Sequence, residues 1–476
     1  MKNFAREELT DHYIINCGFF RWKTDLQKSN TMKAFINRTA EYYVPWWERK
    51  AGPEVRGFMQ YASRYYYSTF MDVQFPEASV ILSDQKYPDV TSYMTSCFIR
   101  DVLCHLTVKD ISCFQNITFQ RKDREGNLQY ARDVDVHYCD LYLYPEGTGI
   151  FALKSVILGD DEHPVNYSQV SDFLFAFREM LSDAFVVDGK EITSAELISE
   201  FVFFEDEENL FPCSFQENQF NNKLKSYLVI EGDIPVQTTE EREYYNRLLY
   251  GLGTVSPIGS IQKGGDFAPD PEYFSGVLSS HSFSMFKNWS VLALFDTFTV
   301  LFNKPQKHFL GSSFQNFEEL YFPIYVHNLF LKYFSFTTNA DLSEMGVFSK
   351  ETKKIRDKFQ SITSRFSFSH ISYNVLPGEL HNHIRNALDI EAELDQMYSK
   401  IESINTQINE KTENRTNIIL TLLSVLALGS AFWDTSEWLQ KLFRIPESIY
   451  TVFSLSFAGA TLGLIAFVFL ILRKKV

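Results

Sequence analysis

The sequence has few basic residues for its acidic ones. It contains 45 Lys and Arg against 60 Asp and Glu in 476 residues, so the formal net charge is −15. A protein that binds nucleic acid or anionic lipid along its surface needs a basic footprint, which this chain as a whole lacks. We therefore expect no direct nucleic-acid partner, and any anionic ligand must meet a local basic pocket.

Cysteine is sparse and unpatterned. The 6 cysteines stand at irregular distances without a CxxC pair, which disfavours both a zinc ribbon and a disulfide framework. The N-terminal stretch lacks a basic segment followed by a sufficient apolar one, so it does not resemble a secretory signal. These absences predict that the large N-terminal part of the chain lies in the cytoplasm.

Apolar runs long enough to cross a membrane are missing before residue 417. Residues 417–433 and 449–472 form two such runs, and as helices they are about 26 Å and 36 Å long against a hydrocarbon core of about 30 Å. The apolar segments 289–302 and 320–336 are short or interrupted by charged residues, so we expect them in a soluble core. The sequence therefore predicts two membrane spans.

Basic residues near the spans predict their orientation. Lys and Arg precede the first span and follow the second at Lys400, Lys411, Arg415, Arg473, Lys474 and Lys475. The intervening loop, 434–448, holds only Lys441 and Arg444. Because cytoplasmic loops carry the excess of Lys and Arg, we expect both termini on the cytoplasmic side of the inner membrane.

A seam of apolar residues precedes the first span. Its members alternate steps of four and three along the chain: Ile390, Leu394, Met397, Ile401, Ile404 and Ile408. This spacing is typical of a helix that packs against neighbours. No Gly or Pro separates the seam from the span, so residues from about 380 to 433 are expected to form one helix on the order of 80 Å long. Such a helix needs partner helices from the same chain or from copies of it.

Polar residues follow one face of the first span. They are Asn414, Asn417, Thr421 and Ser424, continued by Leu428. Polar groups within a membrane usually face protein or water, so this face can line a pore for partly hydrated cations if several copies pack around an axis. The same residues can instead hold transmembrane helices together.

Two acidic residues follow at the predicted outer end of this span. Asp434 and Glu437 can form an acidic mouth that concentrates cations. A solvated loop explains them equally well.

The N-terminal part mixes strand and helix patterns. Alternating segments between about 110 and 235, with a hairpin turn at residues 146–149, predict strands, and residues 168–185 have helical periodicity with Ser168 as the cap. The Gly- and Pro-rich stretch 251–277 predicts a loop between subdomains.

The predicted fold class is an α+β cytosolic domain followed by a long stalk helix and a two-helix transmembrane hairpin. The α+β domain covers residues 1–339, the helical region with the stalk covers 340–415, and the transmembrane domain covers 416–476.

Catalytic constellations are weak. Asp133, Asp135 and His137 share one face of a predicted strand and have the donor types of a metal site, although an exposed polar strand face explains them as well. The GGDF sequence at 264–267 is followed by Ala-Pro-Asp, where a diguanylate cyclase site needs a strand. We therefore expect that the protein is not an enzyme.

The order of the C-terminal segments resembles the CorA family of divalent-cation transporters. Ile445, Pro446 and Glu447 are similar to the Met-Pro-Glu of that family's external loop, and the chain ends in the basic LRKKV. The matches cover only the part of the chain from the stalk onward. The resemblance implies a homopentamer whose first span lines a pore for a divalent cation such as Mg²⁺.

The sequence departs from this family at the selectivity motif. Family members carry Gly-Met-Asn at the outer end of the first span, where residues 431–434 here read Ala-Phe-Trp-Asp, which argues against magnesium selectivity. A CorA-like membrane unit without that motif and with an enlarged cytosolic domain resembles the CorA-like effectors of type III CRISPR systems. This resemblance implies a nucleotide second messenger, a conjugate of S-adenosylmethionine and AMP, as the ligand. A magnesium transporter and a membrane-tethered binding protein without a pore are the alternatives.

Overall fold

The chain divides into two compact units. The first comprises Met1–Asp341 and Ile355–Asp395, and the second comprises Leu342–Lys354 and Gln396–Val476. The computed structural model describes residues 9–22, 29–50, 52–83, 89–123, 125–160, 162–179, 184–202, 223–261, 268–303, 313–344, 350–444, 446–449, 451–452, 455–460 and 463.

Within the described residues, twelve strands form one sheet in the first unit. They are β1 Leu9–Arg21, β2 Tyr43–Pro45, β3 Cys104–Val108, β4 Ile117–Lys122, β5 Leu128–Leu143, β6 Thr148–Ile157, β7 Phe185–Val187, β8 Lys190–Ile192, β9 Lys225–Gly232, β10 Ser282–Phe283, β11 Trp289–Ala293 and β12 Thr297–Phe302. The main order is β10-β11-β12-β9-β1-β6-β5-β4-β7-β8, and β3 pairs with β5 and carries β2. The pairing of β9 with β12 is parallel, and the other pairs are antiparallel.

Nine helices alternate with the described strands along the chain, and five more follow the last strand. They are α1 Ser29–Tyr42, α2 Gly52–Tyr65, α3 Ser68–Gln74, α4 Ala78–Leu82, α5 Val90–Arg100, α6 Tyr167–Arg178, α7 Ser194–Phe201, α8 Thr239–Thr254, α9 Pro271–His281, α10 Ser313–Asn316, α11 Phe322–Glu344, α12 Lys350–Phe366, α13 Val375–Ala387 and α14 Ile390–Phe443. The prediction of a mixed helix-and-strand domain followed by a long C-terminal helix is confirmed.

The core of the first unit lies between the central strands and α11. Strands β1, β6 and β9 are buried over nearly their whole length rather than at alternate residues, so both of their faces are covered. Aromatic rings join the sheet to α11: the centroids of Phe19 and Tyr333 are 4.5 Å apart, and those of Tyr144 and Phe330 are 3.7 Å apart. Stacked rings of this kind supply large buried apolar areas.

Several local predictions are confirmed. The hairpin at residues 146–149 joins β5 to β6, and Gly147 has φ +96° at its turn, a conformation that glycine adopts without steric cost. The apolar segment 289–302 forms the β11–β12 hairpin of the sheet, and segment 320–336 lies largely in α11, where it is mostly buried.

The predicted cap of α6 is wrong. Asn166 rather than Ser168 caps the helix: its side chain accepts a hydrogen bond from the Gln169 backbone, and the Gln169 side chain accepts one from the Asn166 backbone. Both residue types favour caps, and the reciprocal capping box decides between them.

The predicted loop 251–277 is also only partly a loop. The helix α8 extends to Thr254, and α9 begins at Pro271 after Asp270, whose side chain accepts hydrogen bonds from the next turn. Proline at the first position of a helix loses no backbone hydrogen bond, so a Pro-rich stretch here starts a helix. Residues 262–267, which include GGDF, lie outside the described residues.

The predicted helix from about 380 to 433 is interrupted at its start and longer at its end. Asp389 has φ +51° between α13 and α14, and α14 runs for 54 residues to Phe443, about 80 Å at 1.5 Å per residue. The predicted external loop 434–448 is therefore helical as far as Phe443. The seam residues from Ile390 to Ile404 are buried, as a packed seam requires.

Candidate functional site

Among the residues that the structure describes, one helix is long and apolar enough to cross a membrane. Its candidate span lies within Ile390–Thr435 of α14 and has a mean hydropathy of 1.7. The second predicted span, 449–472, lies largely outside the described residues. The site predicted from the sequence is thus a stretch of α14.

Two edges of this stretch differ in their surroundings. Ile418, Leu422, Val425 and Gly429 are of intermediate exposure. They keep the four-and-three spacing of the Ile seam, beyond the exposed Arg415. The polar residues Asn414, Asn417, Thr421 and Ser424 and the following Leu428 are all exposed. The polar edge is therefore about 100° around the helix from the edge of intermediate exposure and does not continue the seam.

The polar side chains of this edge differ in whether they have a hydrogen-bond partner within the chain. The Thr421 hydroxyl donates to the carbonyl oxygen of Asn417 at 2.7 Å, and the Ser424 hydroxyl donates to that of Leu420 at 2.8 Å. Their protons are used inside the helix, so these hydroxyls offer only oxygen lone pairs to the outside. Among the described residues, no group bonds to the side-chain amide of Asn417. In a bilayer, that amide needs water or a further protein group as its partner.

Of the two acidic residues predicted at the outer mouth, Asp434 and Glu437, one forms an ion pair. Glu437 accepts a hydrogen bond from Lys441 at 2.8 Å, one turn further along α14. Asp434 is exposed. Any acidic potential at this end of the span therefore comes mainly from Asp434.

The predicted metal ligands Asp133, Asp135 and His137 lie exposed on β5. His137 Nε2 is 3.3 Å from Asp135 Oδ2, whereas Asp133 accepts a hydrogen bond from Thr118 at 3.1 Å. Across the described ranges, no three His, Cys, Asp or Glu side chains are grouped so that they could hold a metal ion. The metal hypothesis gains no support from this geometry.

A second candidate site lies in the first unit, where three strands place charged side chains together. Strand β3 pairs with β5 so that His105 lies opposite Tyr142 and Thr107 lies opposite Asp140. Alternate residues of a strand share a face, so His105, Asp140 and Tyr142 lie on one side of the sheet. The turn Trp46–Arg49 follows β2, the neighbour of β3, and brings two more side chains to this place.

Asp140 is the buried centre of this cluster. Arg49 Nη1 donates to its Oδ1 at 2.7 Å, and His105 Nε2 lies 2.9 Å from its Oδ2. Burial alone raises the pKa of Asp140, but the charge of Arg49 and the hydrogen bond from His105 hold it below its usual value. Burial lowers the pKa of His105, so at neutral pH the cluster holds an aspartate, an arginine cation and a neutral imidazole.

Aromatic rings enclose these charges. The His105 ring is stacked between Trp46, at 5.3 Å, and Tyr142, at 4.1 Å between centroids. The Arg49 guanidinium carbon lies 3.8 Å from the centroid of the Tyr138 ring. Such rings fix the planes of the imidazole and the guanidinium.

A π-helical turn, Phe317–Tyr321, provides the opposite wall. Its Glu318 accepts a hydrogen bond from Lys154 of β6 at 2.7 Å, and its Glu319 accepts one from Lys50. Lys154 is only 8% exposed, so this ion pair keeps a buried cation compensated.

Buried tyrosines support the π-helical turn. The hydroxyls of Tyr227 and Tyr66 donate to the carbonyl oxygens of Phe317 and Leu320 at 2.7 Å and 2.5 Å. A π turn leaves helical carbonyls without their usual partners, and such turns are frequent at functional sites.

These walls line a depression that we call the charged groove. Its narrow middle has a volume of about 80 Å³ and is lined by Trp46, Arg49, Lys50, Phe58, Phe75, His105, Tyr138, Asp140, Tyr142, Glu318, Glu319, Phe322 and Pro323. Arg49 and Tyr138 also line a second recess of about 310 Å³. Lys50 and Phe58 also line a third recess of about 440 Å³, at the surface beside the exposed Tyr61. Ligand sites in proteins have volumes of roughly 300–1,000 Å³.

The sequence contains one signal for this groove, namely charged residues within apolar strand segments, which the strand analysis did not use. Asp140 and Lys154 are charged residues inside apolar strand segments, YCDLYLY and FALKSVI. A charge at an inward position of a buried strand is rare unless it is paired. Its partners could not be named, because Arg49 and Glu318 are distant in the chain.

Comparison with protein-family models, with curated proteins and with solved structures gives no match.

Proposed function

We propose that this protein is a homo-oligomeric, CorA-like membrane channel whose cytosolic unit senses a ligand. Two spans cross the inner membrane, both termini are cytoplasmic, and the polar edge of α14 turns toward the common axis of a pentamer. The resemblance suggests a membrane-acting antiviral effector of a type III CRISPR system, activated by the conjugate of S-adenosylmethionine and AMP.

The observation that carries this proposal is the polar edge of α14. Ile418 and Leu422 are of intermediate exposure, whereas Asn417 is exposed and its amide has no partner among the described residues. An amide with two donors and an acceptor is costly to place against lipid. Copies of the chain around a water-filled axis satisfy that amide.

The lining suits cations rather than anions. Because Thr421 and Ser424 donate their protons to helix carbonyls, they present oxygen lone pairs to the axis, which can replace part of a cation's hydration shell. The missing Gly-Met-Asn motif at residues 431–434 disfavours the alternative of a magnesium-selective transporter.

Signal transfer from the ligand to the membrane follows α14. Its first residues, to Asp395, belong to the first unit, and the rest belongs to the second. A ligand opens the channel only if it binds one arrangement of this helix more tightly than another.

Replacing Asn417 and Thr421 together by leucine tests the pore. We expect ion flux through reconstituted vesicles to be lost, because the lining becomes apolar, while membrane assembly persists. Thr416→Leu is the matched control, since the Thr416 hydroxyl also donates to its own helix, at 3.0 Å to Thr412, but lies outside the polar line.

Unchanged conductance in the double variant would remove the pore assignment. A single copy of the chain in mild detergent would favour the alternative of a tethered binding protein, since a pore around an axis needs several copies.

A further inference from the structure

The third recess is a trough between α2 and the π-helical turn. Helix α2 contributes four residues at helical spacing, which share one face: Glu54, Gly57, Phe58 and Tyr61. Glu319 of the π-helical turn lies on the opposite wall. The volume of about 440 Å³ is within the range of ligand sites, and a Cβ atom at Gly57 would meet no other atom within 4 Å. The trough therefore has room for a small molecule.

The π-helical turn already holds two ammonium groups of the chain itself. Lys50 Nζ donates to Glu319 and lies 5.4 Å from the centroid of the Phe58 ring. Lys154 Nζ donates to Glu318 at 2.7 Å and lies 4.8 Å from the centroid of a tyrosine ring of β1. A carboxylate together with a ring face attracts a cation by charge and by the ring quadrupole. This part of the fold thus stabilises ammonium groups with a carboxylate and an aromatic ring.

The same two kinds of group recur on the α2 wall. Glu54 is exposed, and among the described residues it has no ion-pair partner. Tyr61 stacks on Tyr65 at 5.6 Å between ring centroids and is still 49% exposed. One lysine and two glutamates line the trough, so its net charge is −1. Because Lys50 is paired with Glu319, Glu54 carries the charge that is left for a ligand.

The other wall adds a hydrogen-bond acceptor. The Gln315 side-chain amide also lines the trough and donates through Nε2 to Glu319 at 2.9 Å. Since its donor group is used, the amide offers its carbonyl oxygen. A carboxylate and a carbonyl oxygen suit a cation that has N–H donors better than a quaternary ammonium ion, which has none.

We propose that the trough between α2 and the π-helical turn binds the primary ammonium group of a small alkylamine. Glu54 accepts a hydrogen bond from the ammonium group, and the Tyr61 ring lies against it. The alkyl chain lies over Gly57, beside the Phe58 ring. The site goes beyond the proposed function, because binding of an amine here requires neither a pore nor several copies of the chain.

The test titrates aminobutanol, with its amine and hydroxyl at opposite ends, into the full chain in mild detergent. Calorimetry at neutral pH and constant ionic strength measures binding. Butanediol of the same chain length lacks the charge, and tetramethylammonium has the charge without N–H donors. We expect aminobutanol to bind saturably. Butanediol and tetramethylammonium should each bind at least about tenfold more weakly, since neither can donate a charge-assisted hydrogen bond.

Substitution of Glu54 tests the charge. Glu54→Gln should weaken aminobutanol binding about tenfold, because it removes the charged acceptor. Glu272→Gln is the matched control and should bind like the unchanged chain. Each glutamate follows a proline in the first turn of a helix and is exposed. Both substitutions therefore remove one charge from the chain and from a helix N-terminus, and only Glu54 lies in the trough.

Substitution of Gly57 tests the space. Gly57→Met should fill the trough and weaken aminobutanol binding at least about tenfold, at an unchanged or higher melting temperature, because methionine favours a helix more than glycine does. Gly276→Met is the matched control. Gly276 lies within α9, where a Cβ atom also meets nothing within 4 Å.

Three results would overturn the site. They are no saturable aminobutanol binding up to about 10 mM, binding of butanediol or tetramethylammonium as tight as that of aminobutanol, and affinities of Glu54→Gln and Gly57→Met equal to those of their controls. None of these results bears on the pore. A chain that conducts but does not bind the amine loses only this site, and one that binds the amine but does not conduct loses only the pore.

Discussion

Two buried carboxylates in the first unit differ in protonation. Asp140 stays ionised because Arg49 and His105 compensate the cost of its burial. Glu77 has no ion-pair partner among the described residues: burial raises its pKa to about 7, although Trp46 Nε1 donates to its Oε1 at 2.6 Å and the charge of Arg100 acts in the opposite direction. A carboxyl group with a neighbouring cation and one with neutral donors thus behave differently in the same core.

Glu77 should make the protein less stable in base. Its folded pKa of about 7 exceeds the reference value of 4.5, so its favourable contribution is complete below pH 4.5 and is lost as the pH rises through 7. Above pH 8 the loss reaches about 3 kcal/mol, at 1.36 kcal/mol per pKa unit. Glu77→Gln should therefore raise the melting temperature at pH 8.5 and leave it nearly unchanged near pH 4.5.

Thermal unfolding at several pH values, followed by circular dichroism, measures this effect. Glu125→Gln is the control, because Glu125 is exposed. Parallel curves of melting temperature against pH for Glu77→Gln and the unchanged chain would contradict the assignment of a protonated Glu77.

Residue-level chemistry was only partly predictable. The polar edge of α14 could be found because its members recur at helical spacing within one segment. The groove depends on pairs such as Lys154–Glu318 and Arg49–Asp140, whose members come from distant segments. No local pattern encodes these pairs, since they exist only after the sheet has formed.

At the scale of elements, a single residue with a left-handed backbone conformation separates α13 from α14. Asp389 adopts a left-handed conformation with φ +51°, and its carbonyl oxygen accepts a hydrogen bond from the Glu393 backbone at 3.2 Å. Aspartate tolerates this conformation better than most residues, and β-branched residues tolerate it poorly.

Substitutions at position 389 should separate backbone conformation from charge. We expect Asp389→Val to destabilise the fold by about 1–2 kcal/mol, because its branched side chain crowds the left-handed backbone, and Asp389→Gly to be neutral or slightly stabilising. Asp395→Gly, inside α14, should instead destabilise by about 1 kcal/mol.

Thermal unfolding of these three variants checks the expectation. Equal losses for glycine at positions 389 and 395 would mean that the helix is continuous through Asp389.

Helices and strands were easiest to predict where a single local sequence pattern indicated one structure. The Ile seam and the Gly-containing turn of the β5–β6 hairpin were such cases. The break at Asp389 could not be predicted, because a polar residue between helical segments fits a helix surface as well as a left-handed junction. The helix α9 was missed because proline near Gly-rich sequence usually marks a loop.

At the scale of the molecule, the order of the sheet exceeded what the sequence could predict. Strands β9 and β12 pair in parallel although the β10–β11–β12 meander follows β9 only after two helices. Alternation within a strand predicts its faces but not its neighbours. The arrangement of several chains is likewise absent from local patterns and must be tested directly.

Cross-linking of single cysteines should locate the central axis of the assembly. In the proposed oligomer the polar edge of neighbouring copies meets around the axis, so Ser424→Cys should give a ladder of linked chains with a short bis-maleimide reagent in membranes. Leu426→Cys lies two residues further, about 200° around the helix, and is 53% exposed; we expect it to face lipid and to remain unlinked. Four of the 6 cysteines, Cys17, Cys97, Cys104 and Cys139, are buried, and the unsubstituted chain measures any background from the native thiols. Ladder size on denaturing gels, in multiples of the 55.4 kDa chain, reports the number of copies, with five expected. Links at Leu426→Cys and none at Ser424→Cys would turn the polar edge toward lipid and refute the pore.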